Sequence, residues 1–305
     1  MAGLVVLEKM VMLVLLMLVG FLAAKGKWVD ESFGQKASFL VANVFIVATI
    51  LASVVGMEPL FSGRELVVSV VAVFILFAIG GVLGWICAKL LPLSPGDRTA
   101  AWLSVFFMNN VFIGFPVVEA LFGQNAVFCA ALTGLPFNLL LFSMGVSRLR
   151  AGQGRGRVRL REVFSPALIA TLVSIVFFLG QIPFPQLVAD TVQTLGGATV
   201  PLSMLIIGIS LSRVPVKEAI TDWRAYVVSL VRLILCPLVV WGVLRLFVSG
   251  TVLGVLTVIA ACPSGAMITI LSLRYGVDET FATRVNFVST VLCAGTLPLV
   301  THILL

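Results

Sequence analysis

The sequence predicts an all-α polytopic membrane protein with ten transmembrane helices. They form two inverted five-helix repeats, each with a broken fourth helix, the fourth and ninth of the chain. Three observations lead there. The 305 residues are 60% hydrophobic and only 11% charged, whereas a soluble domain carries roughly 25% charged residues. The apolar residues gather into ten segments, and about 20 such residues span a bilayer. The fourth segment of each half is interrupted by a proline, a glycine and small polar residues.

The segments follow in order. The first, 4–24, has Glu8 before Lys9, so it lacks a clean basic leader and reads as a retained span. The second, 37–57, carries Asn43, and the third, 66–89, ends at Lys89. The fourth, 99–122, contains Met108-Asn109-Asn110-Val111-Phe112-Ile113-Gly114-Phe115-Pro116, with Glu119 one turn later. The fifth, 125–147, carries Asn138. The stretch 148–162 places Arg148, Arg150, Arg155, Arg157, Arg159 and Arg161 among glycines, which makes a flexible basic linker. The sixth is 163–181. The seventh, 190–212, holds Thr199, Pro201 and Ser203, and the eighth, 224–248, holds Arg232. The ninth, 251–273, contains Ala261-Cys262-Pro263-Ser264-Gly265-Ala266, and the tenth, 282–304, contains Asn286 and His302. The linker therefore separates a first repeat, 1–147, from a second, 163–305.

Orientation follows from the excess of lysine and arginine on cytoplasmic loops. With the linker inside, that face receives Lys25, Lys27, Lys36, Lys89, Arg98, the six linker arginines, Arg213, Lys217, Arg224, Arg274 and Arg284. These are 16 of the 20 basic residues, and both termini fall outside. Five spans per half is odd, so the halves cross the membrane in opposite senses, the pattern of an inverted repeat. The charge of +7 is accounted for by loop residues and does not imply nucleic acid.

Composition also excludes classes of function. A single histidine leaves no histidine metal site and no histidine-based triad. The five cysteines are scattered through apolar segments, with neither metal-ligand spacing nor a disulfide framework. The chain has no phosphate-binding glycine loop ending in Lys-Ser/Thr, no acidic cluster for a metal and no nucleophile–base pair. Neither an enzyme nor a cofactor is expected.

A proline in a helix removes one hydrogen bond and clashes with the carbonyl four residues back. Freed backbone groups at membrane depth survive only inside protein or along a cavity. Pro116 and Pro263 are expected to start the second half-helix of their spans, where the missing donor costs nothing. Amides just beyond each proline then carry the positive dipole end towards the break. Two such ends meeting near the midplane form a site for an anion, most simply a carboxylate. Asn109, Asn110, Gly114, Ser264 and Gly265 belong to it as neutral or small groups, although the asparagines also suit interhelical hydrogen bonding. Asn43 and the trio Thr199, Pro201 and Ser203 hold corresponding places in the halves and either border the site or pack and cap. Asn138 and Asn286 are weaker polar positions. Glu119 reads as a proton carrier or as an interfacial carboxylate. Arg232 either balances the charge of a substrate, snorkels to the cytoplasmic surface or pairs structurally.

At these residues the chain resembles the auxin efflux carrier family, which includes bacterial malate and malonate carriers and plant auxin exporters. The resemblance rests on Asn110-Val-Phe-Ile-Gly-Phe-Pro116 with Ala120-Leu-Phe-Gly123, and on Leu195-Gly-Gly-Ala-Thr-Val-Pro201 with Ile207-Gly-Ile-Ser-Leu211. Pro263-Ser-Gly-Ala266 with Arg274-Tyr-Gly-Val-Asp278 adds to it. Val47 stands where many members have proline, and the stretch after Pro263 lacks the asparagine of the plant carriers. The resemblance implies crossing fourth and ninth helices, a homodimer and an organic-anion substrate at the crossover. The short linker points to a bacterial inner membrane.

The leading expectation is a secondary carrier of small carboxylates working by alternating access, with the bilayer as its medium and a proton or sodium as coupling ion. A sodium-coupled symporter like the related bile-acid carriers is the alternative. A membrane anion sensor that does not transport is the alternative of a different class.

Overall fold

The computed structural model describes residues 2–56, 63–150, 164–212, 221–274 and 279–305. Of the linker, 151–162 lie outside the described residues, as do Arg213, Lys217 and the Tyr275–Asp278 part of the family motif. Among the described residues the regular secondary structure is helical, with one isolated β-bridge and no strand.

In the first half, α1 spans Ala2–Lys25, α2 Glu31–Leu40, α3 Ile46–Ala52 and α4 Gly63–Leu90. Then come α5, Pro95–Phe106, α6, Phe115–Phe122, and α7, α8 and α9 at Ala126–Ala131, Gly134–Leu140 and Val146–Arg150. In the second half, α10 spans Pro166–Gly180, α11 Gln186–Gly197, α12 Thr199–Leu211, α13 Trp223–Leu230 and α14 Cys236–Leu244. The chain ends with α15, Gly250–Ala260, α16, Met267–Arg274, and α17, Thr280–Leu304. Among the described residues, 6 helical stretches are long and apolar enough to cross a membrane, and shorter apolar helices accompany them.

Wide π-helical turns join several neighbouring helices: Val41–Phe45, Asn110–Gly114, Leu141–Gly145 and Val231–Leu235. Pro116 and Pro237 each stand two residues after such a turn. The wider turn makes room for the proline ring against the carbonyl one turn back, so the helix continues. Val47 holds the same offset after Val41–Phe45. The turn thus persists where the proline does not.

Packing sorts the helices into two groups. In one, α1 lies on α12, and α3 lies on α10 and α11. There a Cβ on Gly20 would sit 2.1 Å from the Leu205 carbonyl oxygen, and one on Gly208 would sit 1.9 Å from that of Met17. Only glycine permits these backbones to approach so closely. In the other group, α4 packs on α5, α14 on α15, α13 and α5 on α17, and α15 on α7. The groups touch where α12 meets the Asn110–Gly114 turn and α6, where α1 meets α17 and α6, where α10 meets α7 and α8, and where α3 meets α7.

At one end of the second group, Asp222 caps α13 and accepts from Arg224 at 2.8 Å (Nε) and 2.7 Å (Nη2). Arg284 approaches the same carboxylate at 3.5 Å, and Arg224 also donates to the Pro92 carbonyl at 3.2 Å. The Arg224 hydrogen bonds hold the Asp222 carboxyl below the usual aspartate range.

Candidate functional site where two helix breaks meet

The helical path of the fourth span stops after Phe106 and resumes at Asn110. That of the ninth stops after Ala260 and resumes at Met267. The sequence reading placed these breaks at Pro116 and Pro263 and made each proline the first residue of the next half-helix. The structure corrects both points. Pro116 lies seven positions beyond Asn109, inside a continuous helical path that begins with the Asn110–Gly114 turn. Pro263 lies within its break, and the next helix begins four positions later.

The two breaks bind each other. Met108 and Ser264 form an antiparallel bridge. The Asn109 amide donates to the Pro263 carbonyl at 2.8 Å, and the Gly265 amide donates to the Phe107 carbonyl at 2.9 Å. Freed backbone groups of one break are therefore satisfied by the other, as burial demands. A side chain at Gly265 would crowd this pairing, since its Cβ would stand 3.2 Å from the Met108 oxygen.

Arg232 completes the pairing. It is buried to 1% exposure, on the Val231–Leu235 turn. Its Nε donates to Cys262 at 2.9 Å and its Nη1 to Val105 at 3.0 Å. Its Nη2 donates to Ala260 at 2.9 Å and to Ile259 at 3.3 Å. All four acceptors are carbonyls at the C-terminal ends of α5 and α15 or within the second break. The guanidinium therefore caps the negative dipole ends of both first half-helices. Among the described residues it pairs with no carboxylate. This burial excludes snorkelling to the cytoplasmic surface, and structural pairing, another of the three sequence readings, describes the four hydrogen bonds.

The N-terminal ends of the second half-helices lie beside the same bridge. The Asn109 side chain accepts from the Phe112 amide at 3.2 Å and caps one of them. The Asn110 and Val111 amides, and those of Ala266 and Met267, have no hydrogen-bond partner among the described residues. Asn110 is buried, and its Nδ2 donates to Thr133 Oγ1 at 2.9 Å. Correspondingly, the Ser264 amide donates to Ser289 Oγ at 3.2 Å. Each break is thus tied to a hydroxyl of the span that follows it. Ser264 Oγ and Asn286 Oδ1 are buried without a partner among the described residues.

The other expected site residues are distributed differently. Gly114 is buried against α15, and a Cβ there would come within 2.6 Å of Ile259 Cδ1. The amide of Asn43 turns back onto the Phe39 carbonyl at 2.7 Å, and that of Asn138 onto Gly134 at 2.9 Å. Thr199 Oγ1 is 2.7 Å from Thr49 Oγ1, so it joins α12 to α3 rather than facing the bridge. Pro201 and Ser203 follow on α12, and the buried Ser203 Oγ has no partner among the described residues. Glu119, on α6, has Oε2 buried and likewise without such a partner. Sequence reasoning missed Thr133, Ser289 and Thr49. Thr133 is followed by Gly134 inside an apolar segment, a weak signal, and the other two look like ordinary membrane hydroxyls.

Apolar helices with two interrupted spans locked together in the interior define a multi-pass membrane protein of the transporter class. The chain matches the family described as "Membrane transport protein" over residues 5–149 and 155–301. It belongs to that family, the auxin efflux carriers and their relatives. It is similar to an uncharacterised transporter of Methanothermobacter thermautotrophicus, 27% identical over 296 residues, covering 96% of each chain. A second uncharacterised transporter, from Methanocaldococcus jannaschii, is 25% identical over 294 residues, covering 93% of this chain and 94% of the relative.

Proposed function

We propose that this protein is a secondary carrier of a small organic anion, most simply a carboxylate, bound where the two breaks meet. The observation that carries the reading is the pairing of the breaks around Met108 and Ser264. It sets two half-helix N-termini and the buried Arg232 guanidinium together, with no carboxylate paired to that cation among the described residues. Positive dipole ends and uncommitted amides favour an anion. Asn109, Asn110 and Ser264 supply the polar contacts, Gly265 and Pro263 hold the backbone, and Ser203 lies on α12, the helix that packs against the second half-helix of the fourth span.

In this reading ten spans form two inverted repeats, 1–147 and 163–305, in a homodimer within a bacterial inner membrane and with both termini outside. The packing supports the repeat. Contact of the first span with the seventh is matched by the sixth with the second, the third with the fourth by the eighth with the ninth, and the fourth with the tenth by the ninth with the fifth. Alternating access then moves one packing group against the other along the contact of α12 with α6 and of α1 with α17. Uptake of labelled carboxylates into proteoliposomes tests transport. A protein that binds an acid but never moves it would be a sensor instead.

A sodium-coupled mechanism is favoured by one observation. Ser264 and Asn286, whose backbones bond to Ser289 beside the second break, carry the unpartnered buried oxygens Oγ and Oδ1, which are hard oxygen ligands. Sodium dependence of binding at constant pH separates this from proton coupling through Glu119.

A further inference from the structure

A groove of 850 Å³ runs between α4, α5 and the fifth span, away from the helix breaks. Its walls are apolar and aromatic, including Phe74, Phe77, Val82, Trp85 and Trp102. Its rim at one end carries three cations, Lys89, Arg98 and Arg148. Lys89 Nζ sits 5.0 Å from the centre of the Trp85 ring, and the Arg148 guanidinium 5.5 Å from that of Trp102. Arg98 donates to the Leu93 carbonyl at 3.4 Å. Among the described residues none of the three is paired with a carboxylate. Val82 and Trp85 are 56% and 55% exposed, so the groove opens sideways to the bilayer.

We propose that this groove binds an anionic phospholipid, with its phosphate on Lys89, Arg98 and Arg148 and an acyl chain along the α4–α5 wall. Charge complementarity selects the headgroup, because three cations converge on a rim where none of them has an acidic partner among the described residues. Length selects a lipid over a small solute. Phe74 to Lys89 is fifteen residues, about 22 Å of helix at ~1.5 Å per residue, which exceeds the roughly 15 Å of hydrocarbon in one leaflet. The Trp102 indole donates to the Gly81 carbonyl at 3.0 Å, which fixes one wall and leaves its ring to the chain. In the charge-derived topology the rim faces the cytoplasmic leaflet.

The test uses tryptophan quenching by brominated acyl chains. Trp28, Trp223 and Trp241 are replaced by phenylalanine, so that Trp85 and Trp102 report alone. The protein is reconstituted in vesicles of brominated phosphatidylglycerol or brominated phosphatidylcholine diluted with the unbrominated lipids. A lysine or arginine beside an anionic headgroup is worth about fivefold in affinity. Phosphatidylglycerol is therefore expected to occupy the groove by at least about fivefold preference. Lys89→Gln, Arg98→Gln and Arg148→Gln together are expected to abolish that preference while quenching by phosphatidylcholine persists, which shows that the groove is intact. Equal quenching by the two lipids in the parent protein would overturn the proposal. So would a preference that survives the triple substitution, or one that soluble glycerol phosphate removes, since the latter would mark a site for free anions.

Discussion

Arg232 donates from Nε to the Cys262 carbonyl at 2.9 Å, inside the second break, while its Nη1 reaches Val105 on the last turn of α5. One side chain of the eighth span thereby joins the ends of two broken helices that are far apart in sequence. A buried carbonyl left without a donor costs about 1–3 kcal/mol. Arg232→Met is expected to lower unfolding free energy by on the order of 3 kcal/mol, because the Cys262, Val105 and Ala260 carbonyls lose their donor while that of Ile259 keeps the Cys262 amide. Lysine, with three donors on a shorter stem, should restore only part. Denaturant titration of the purified variants checks this, and a Met variant as stable as the parent contradicts it.

Ser264 and Asn110 are expected to behave differently although both lie at the breaks. Ser264 Oγ has no partner among the described residues, so Ser264→Ala should leave thermal stability unchanged or raise it. Asn110→Ala leaves Thr133 without its donor and should cost about 1 kcal/mol. Either loss of a hydrogen bond to a charged ligand lowers affinity by about tenfold or more. Melting curves and substrate titration on the same samples separate the two effects.

The prolines are expected to part company as well. Pro116 follows a wide turn in a continuous helical path, so Pro116→Ala should keep the Met108–Ser264 pairing and much of the affinity. Pro263 lies in the pairing itself, and its carbonyl receives the Asn109 amide. Pro263→Ala lets the ninth helix extend through the break and should abolish binding. Equal loss in both variants would put the break at Pro116 after all.

Gly114 is held against Ile259. Gly114→Ala is expected to cost about 1–3 kcal/mol by overpacking, because its Cβ would lie 2.6 Å from Ile259 Cδ1. Ile259→Val removes that atom, so the double variant should recover most of the loss. A double variant no better than Gly114→Ala alone would show that Ile259 is not the obstacle.

Asp222 predicts a pH effect at acid. Its hydrogen bonds to Arg224 lower the folded carboxyl below the usual value of about 3.9. Its contribution is therefore complete above about pH 4 and is lost as pH falls through the folded value. Asp222→Asn should flatten this part of the stability profile and leave the profile near pH 7 parallel to that of the parent.

Much of the helical plan was legible because bilayer thickness sets span length and proline and glycine mark the interruptions. The location of the breaks was less so. Proline chemistry pointed at Pro116, but the wide Asn110–Gly114 turn absorbs that proline, and no local signal marks Phe107–Asn109 as the true gap. Arg232 could be read as a charge near a helix end. Its place beneath both breaks depends on how α13 and α14 pack against α17, α15 and α4, contacts that lie far apart in sequence. Thr199 and Asn43 looked equivalent by position in the halves. Only tertiary packing assigns the first to Thr49 and the second to its own helix.

The central claim is that the meeting point of the breaks recognises an organic anion. The most direct measurement is calorimetric titration of matched pairs, each small carboxylic acid against its neutral amide, into the parent protein and Ser264→Ala. One or more acids are expected to bind while the amides do not, and Ser264→Ala is expected to weaken the acid about tenfold without loss of folded protein. Amides that bind as tightly as their acids, or acid binding untouched in the variant, would contradict it.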